Sequence, residues 1–202
     1  MTKGIVLYAT KYGSTQEIAE SLANKLEFNS KNVLHIEDET ELDKYDVIIL
    51  GTPIYFDDIF EDMKHFINTF FIKLGSKKLI TFAVYGAVKG YLDTDYARKF
   101  AEYFNPKPAM SVMFLGRATK NTLGEDDHKK LYFFFKYRLR TKFEEFDYFD
   151  ENKIEYVVDK IREIIWNKKY NMIWYDNRGT TLSINLFWEL YNKIVKSKTS
   201  IK

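Results

Sequence analysis

The chain has 202 residues, 46% hydrophobic and 30% charged, which fits one domain of moderate size with length to spare for an insertion or a tail, and excludes a disordered chain. Its 31 basic and 29 acidic residues nearly cancel, arguing against nucleic acid as a partner, because a protein that tracks phosphates carries a basic excess. Cysteine is absent, so disulfides, thiolate nucleophiles, iron–sulfur clusters and Cys-type zinc sites are excluded.

The opening MTKGIVLYATKYG leads from a short apolar run into a glycine turn, unlike a signal peptide. No stretch approaches the roughly 20 apolar residues of a membrane-spanning helix. The chain therefore reads as cytoplasmic, with peripheral contact at the inner membrane face left open. Residues 4–10 (GIVLYAT) are apolar without alternation, as in a strand covered on both faces. A turn at 11–14 follows. Thr15, Ile18, Ala19, Leu22, Ala23 and Leu26 then recur at helical spacing. Further strands are expected at 32–36 (NVLHI), 46–54 (DVIILGTPI), 78–85 (KLITFAVY) and 109–115 (AMSVMFL). Helices are expected at 61–73, 93–104 and 151–167.

Strands alternating with helices predict an α/β fold, a parallel sheet with helices on both faces. Five strands suit the order 2-1-3-4-5. Two segments exceed this plan: an insertion at 116–150 after the fifth strand, longer than an ordinary connection, and an extension at 168–202. The expected organisation is a domain over 1–167 with the extension packing on it or on a partner.

The chemistry is concentrated in Thr10, Lys11, Tyr12, Gly13, Ser14 and Thr15, where the first strand gives way to the first helix. The open N–H groups and dipole of a helix start favour an anion there. Three hydroxyls add donors, and Gly13 lets the backbone turn closely. A Walker-type phosphate loop needs GK[ST] after a longer loop, and the dinucleotide fingerprint GxGxxG is absent. Ordinary helix capping is the plainer reading of the same residues.

The stretch ATKYGSTQEIAE resembles the flavodoxin family, whose phosphate loop has the form [ST]-x-x-G-x-[ST] after the first strand. Together with GTPIYFDDI, DYARKFAEYF and the basic aromatic insertion, it resembles most the branch of menaquinone-dependent protoporphyrinogen dehydrogenases. The resemblance implies a flavodoxin-like fold with flavin mononucleotide (FMN) at the C-terminal ends of the strands. Carried over by position, the phosphate meets residues 10–15. The loop after the third strand, Thr52, Pro53, Ile54, Tyr55 and Phe56, packs one side of the isoalloxazine. The loop after the fourth, Tyr85, Gly86, Ala87, Val88, Lys89, Gly90 and Tyr91, faces the other side. The acidic GD-type form of that fourth loop is replaced by GAVKGY.

Other segments carry two readings each. Asp58, Glu61, Asp62 and His65 share a helical face; acids at a helix start meet its dipole, and no second Glu-x-x-His helix completes a dimetal site, so no metal is expected. Tyr132, Phe135, Leu139, Phe143 and Phe146 recur at helical spacing among Lys129, Lys130, Lys136, Arg138, Arg140 and Lys142. This suits a basic amphipathic helix on an anionic membrane or acidic substrate, or an ordinary helix or hairpin completing the core, with snorkelling cations. The extension carries Ile184, Phe187, Leu190, Tyr191 and Ile194 on one side, suited to a helix covering the domain, closing over the flavin, or forming a homodimer seam. The leading function is an FMN-dependent oxidoreductase or electron-transfer protein, with chemistry on the flavin and a redox protein, quinone or small-molecule donor as partner. A small flavodoxin-type carrier and a flavin-free interaction module remain alternatives.

Overall fold

Unbroken apolar runs become the central strands, because a strand covered on both faces has no side for water. The computed structural model describes residues 2–55, 58–86, 95–119, 121–138, 140, 142–166, 173–175 and 181–183. In chain order the elements are β1 (Gly4–Tyr8), α1 (Ser14–Leu26), β2 (Asn29–Asn32), a short α2 (Thr40–Asp43), β3 (Val47–Tyr55), β4 (Asp58–Ile59), α3 (Glu61–Gly75) and β5 (Lys78–Tyr85). There follow α4 (Asp95–Glu102), β6 (Met110–Leu115), β7 (Arg117–Ala118), α5 (Glu125–Phe133), β8 (Phe146–Asp147), α6 (Glu151–Trp166), β9 (Ile173–Tyr175) and β10 (Thr181–Ser183).

The sheet runs β10-β9-β6-β5-β3-β1-β2. From β2 to β6 every neighbouring pair is parallel. These five strands have the expected 2-1-3-4-5 order of a flavodoxin-like α/β fold. One face of the sheet packs Val6, Tyr8, Ile49 and Phe82 against Ile18 and Leu22 of α1 and Val157 and Ile161 of α6. The other packs Ile5, Leu7, Ile48 and Leu50 against Met63, Phe66 and Ile67 of α3 and Phe100 of α4. The alternation within β1 sends odd residues to one layer and even residues to the other, as a pleated strand must. The C-terminal ends of β1, β3 and β5 thereby lie side by side at one edge of the core.

Three expectations differ from the structure. The second strand is Asn29–Asn32, and Val33–His35 form a turn of 3-10 helix. Asn32 stops the strand: its side chain accepts the Leu34 N–H at 3.0 Å, an Asx turn that competes with the ladder. The strand was hidden because a polar edge, NSKN, carries no apolar pattern. The insertion helix is also shorter than the aromatic spacing implies. It begins at Glu125, continues as one π turn over Phe134–Arg138, and has ended before Phe143. Phe143 folds back instead, edge-on to His128 (5.5 Å) and Phe135 (5.1 Å). Finally, where a helical extension was expected, residues 173–175 add β9 parallel to β6 and residues 181–183 add β10 antiparallel to β9. Ile184, Phe187, Leu190, Tyr191 and Ile194 lie outside the described residues. Among the described residues, no helix is long and apolar enough to cross a membrane.

Phe82 sits at the centre of the β1–β5 face, 1% exposed, with its ring edge-on to Phe114 at 5.7 Å. Truncating it leaves a cavity between two strands that cannot close up. Phe82→Ala is expected to cost about 3–5 kcal/mol, read as a lowered midpoint in urea unfolding followed by circular dichroism.

Candidate functional site

The loop from β1 to α1 turns in five residues, and one of them needs an unusual backbone. Gly13 occupies the helix N-cap with φ +88° and ψ −20°, the left-handed region that costs other residues roughly 1–2 kcal/mol. The side chain of Thr10 holds the turn, its hydroxyl oxygen accepting the Gly13 N–H at 3.0 Å. The helix ladder starts with the Glu17 N–H donating to the Gly13 carbonyl at 2.9 Å. The N–H groups of Ser14, Thr15 and Gln16 therefore have no partner among the described residues. They point out of a helix start whose dipole favours negative charge. Thr15 is buried, and the Ser14 hydroxyl oxygen accepts the Arg117 N–H at 3.3 Å. Donors and hydroxyls thus fit a phosphate group.

The loop after β3 lies against this turn. The Tyr12 and Tyr55 ring centres are 6.3 Å apart, and Tyr55 leans on Phe60 at 5.6 Å. Burial, then the neighbouring Tyr12 and Asp127, push the Tyr55 hydroxyl above the usual tyrosine range, so this ring stays neutral. Ile54 is half-buried and pairs with Ile59 in the β3–β4 hairpin. Thr52 and Pro53 are buried. The Thr52 hydroxyl donates to the Pro53 carbonyl and accepts the Phe60 N–H, both at 3.2 Å. Thr52 therefore anchors the hairpin that carries Tyr55. Asp58, on the same hairpin, is tied to Lys64 at 2.7 Å and to the Tyr103 hydroxyl at 3.3 Å.

Of the loop after β5, Tyr85 and Gly86 are described. Tyr85 is buried with Ala97 and Met113, and Gly86 is exposed. Phe56, Ala87, Val88, Lys89, Gly90 and Tyr91 lie outside the described residues.

The insertion adds Asp127 and Arg117, which sequence reading did not single out, and Phe146, which it placed on a helical face. Asp127, near the start of α5, receives the Lys11 ammonium at 2.7 Å and the Tyr12 hydroxyl at 2.9 Å, both on Oδ2. The hydrogen bond from Lys11 holds the Asp127 carboxyl below its ordinary range, and the same bond raises Lys11. Lys11 also lies over the Tyr12 and Tyr55 rings at 5.3 and 5.6 Å, a cation–π arrangement. Arg117 joins β7 to α1, pairing with Glu17 at 3.2 Å and with Asp147 of β8 at 2.7 Å. Phe146 of β8 lies over Gly86, where an added Cβ would come within 2.8 Å of its ring, and stacks on Tyr148 at 5.1 Å. No local signal marks Asp127 or Arg117 as partners of the turn, because Asp127 and Lys11 are 116 positions apart.

Because space around Gly13 is open, Gly13→Ala tests backbone strain alone. It is expected to cost roughly 1–2 kcal/mol, measured by urea unfolding, with the parallel sheet intact by circular dichroism.

A search of the curated proteins finds no match. Among solved structures the chain is similar to a flavodoxin from the domain Archaea, at 18% identity over 64% of this chain and 90% of that one, with a TM-score of 0.45. It is similar to the two-electron reduced flavodoxin of Megasphaera elsdenii, at 16% identity over 61% of this chain and 89% of that one, with a TM-score of 0.47. It is also similar to rubredoxin oxygen:oxidoreductase of Desulfovibrio gigas, at 12% identity over 83% of this chain and 38% of that one, with a TM-score of 0.50. The family model for the flavodoxin domain matches residues 5–143, which span the β1–α1 turn, the β3 and β5 loops and the start of the insertion. The chain therefore belongs to the flavodoxin family.

Proposed function

We propose that this protein is an FMN-dependent oxidoreductase that exchanges electrons with a redox partner. Family membership indicates FMN as the cofactor. The single observation that carries the reading is the turn at Gly13, which presents three N–H groups without a partner among the described residues and whose Tyr12 ring lies beside Tyr55. The N–H groups of Ser14, Thr15 and Gln16, with the hydroxyls of Thr10, Ser14 and Thr15, would hold the phosphate. Ile54 and Tyr55, and the loop that begins at Gly86, would flank the ring system. FMN supplies electron transfer in one- or two-electron steps when bound. The chain's own residues bind, orient and shield: Thr10 and Gly13 fix the phosphate turn, Thr52 fixes the hairpin, and a neutral Tyr55 offers an aromatic face. No side-chain acid or base is required.

The finer reading is an oxidoreductase of the protoporphyrinogen dehydrogenase type, passing electrons to a quinone. The surface of the insertion supports it over a small soluble carrier. Tyr132, Phe133, Phe134 and Tyr137 are all exposed, with Lys136 over the Tyr132 and Tyr137 rings. Exposed aromatics interleaved with cations suit the surface of an anionic bilayer, where a quinone dissolves.

Incubation with FMN followed by desalting is expected to leave flavin absorbance bands on the protein; a colourless protein that also fails to quench FMN fluorescence rejects the reading. The flavin-loaded protein is then offered protoporphyrinogen and menaquinone. Turnover supports the finer reading, whereas reduction of a partner protein without small-molecule turnover supports the carrier. In sedimentation with vesicles, binding is expected to anionic and not to neutral phospholipid, and Lys136→Glu is expected to reduce it several-fold.

A further inference from the structure

The phosphate turn has a single charged side chain of its own, Lys11, and that cation is already engaged. Its ammonium lies 2.7 Å from Asp127 Oδ2. The same oxygen accepts the hydroxyl of the next residue, Tyr12. Two consecutive residues of the turn therefore grip one carboxylate of the insertion. The grip is close: at Gly124, the N-cap of α5, an added Cβ would stand 3.2 Å from the Tyr12 hydroxyl oxygen. The Asp127 side chain is 13% exposed against 41% for Lys11, so water screens the carboxylate poorly. Lys130 reaches its other oxygen at 3.6 Å. The other cation at the turn, Arg117, is shared between Glu17 and Asp147. Among the described residues, Lys11, Lys130 and Arg117 are thus matched by Asp127, Glu17 and Asp147.

We infer that Asp127 is an affinity-setting residue for the cofactor's phosphate: it competes with the phosphate for the Lys11 ammonium, so the chain discriminates less between FMN and riboflavin than its turn would otherwise allow. The inference rests on the FMN reading of the turn and adds to it a residue outside the turn. A phosphate dianion held at Ser14–Gln16 gains from the N–H groups and the dipole. It gains little from Lys11 while a carboxylate sits on that ammonium, since opposite charges of equal size offset at distances beyond a few ångströms. The carboxylate itself repels the dianion. Asparagine at 127 keeps the size and an acceptor for Tyr12, and removes only the charge.

The experiment uses the full chain and titrates FMN and riboflavin separately by fluorescence quenching. Asp127→Asn is expected to tighten FMN roughly threefold to tenfold at low salt, and to leave riboflavin within about twofold. Lys11→Met, which leaves Asp127 without its cation, is expected to weaken FMN more than riboflavin, and adding Asp127→Asn to it should restore FMN. Should Asp127→Asn fail to fold, Asp127→Ser, which also removes the charge, carries the same test. FMN and riboflavin moving together, or FMN weakening in Asp127→Asn, would overturn the inference while leaving the FMN reading in place. A wild-type chain that takes up neither flavin overturns both.

Discussion

A buried parallel strand has to deliver its chain to a helix on the sheet's face, and at β1 it does so within five residues. That constraint organises the rest of the molecule. The turn closes because Gly13 adopts the left-handed region and Thr10 accepts its N–H. Closing it this way commits the Thr10 hydroxyl oxygen to the N-cap residue itself. The next three N–H groups are left aimed outward, a concentration of positive partial charge at the sheet's edge. A conventional side-chain cap would have consumed one of these donors. The outward-facing donors are thus a consequence of how the backbone turns.

Such a turn is useful only if its neighbours hold still, and the two cores supply that rigidity. Residues of β1 alternate between the layer beneath α1 and α6 and the layer beneath α3 and α4. Neither end of the strand can shift without disturbing both. The β3 hairpin is fixed differently, by a buried hydroxyl. Thr52 satisfies the Phe60 N–H and the Pro53 carbonyl, so the segment carrying Tyr55 is positioned by hydrogen bonds where the apolar core ends. Buried hydroxyls of this kind tolerate little change, because losing one partner strands the other.

The parts of the fold readable from sequence are those decided by local patterns. GIVLY, VIILGTPIY, KLITFAVY and MSVMFL announce themselves by unbroken apolar composition, and the β1–α1 turn by its hydroxyls and glycine. The polar strand Asn29–Asn32 does not, because at the sheet's edge backbone pairing with Ile5–Tyr8 suffices and the side chains face water. The insertion misleads in the opposite direction. Its aromatics recur at helical spacing to Phe146, yet the helix stops at Arg138 and Phe143 returns to pack on His128 and Phe135. Periodicity reports what a helix would bury, and tertiary packing decides whether one continues. The site itself was half legible: Thr10 to Thr15 and Tyr55 lie together, while Asp127, Arg117 and Phe146 reach them only through folding.

Those three residues change what the insertion is. β7 and β8 pair with each other, and Arg117 links them to the first turn of α1. Phe146 covers Gly86 at the start of the β5 loop. Asp127 clasps Lys11 and Tyr12. The insertion therefore touches the start of the β5 loop, the β1–α1 turn and the first turn of α1. Each surface ion pair is worth about 1 kcal/mol or less on its own, but the contacts fall on one insertion, across β7, α5 and β8. A displacement of α5 moves the Lys11 ammonium, and with it the cation over Tyr12 and Tyr55. The Lys11 ammonium, the aromatic pair beneath it and the attachment of the insertion are accordingly coupled through a single carboxylate.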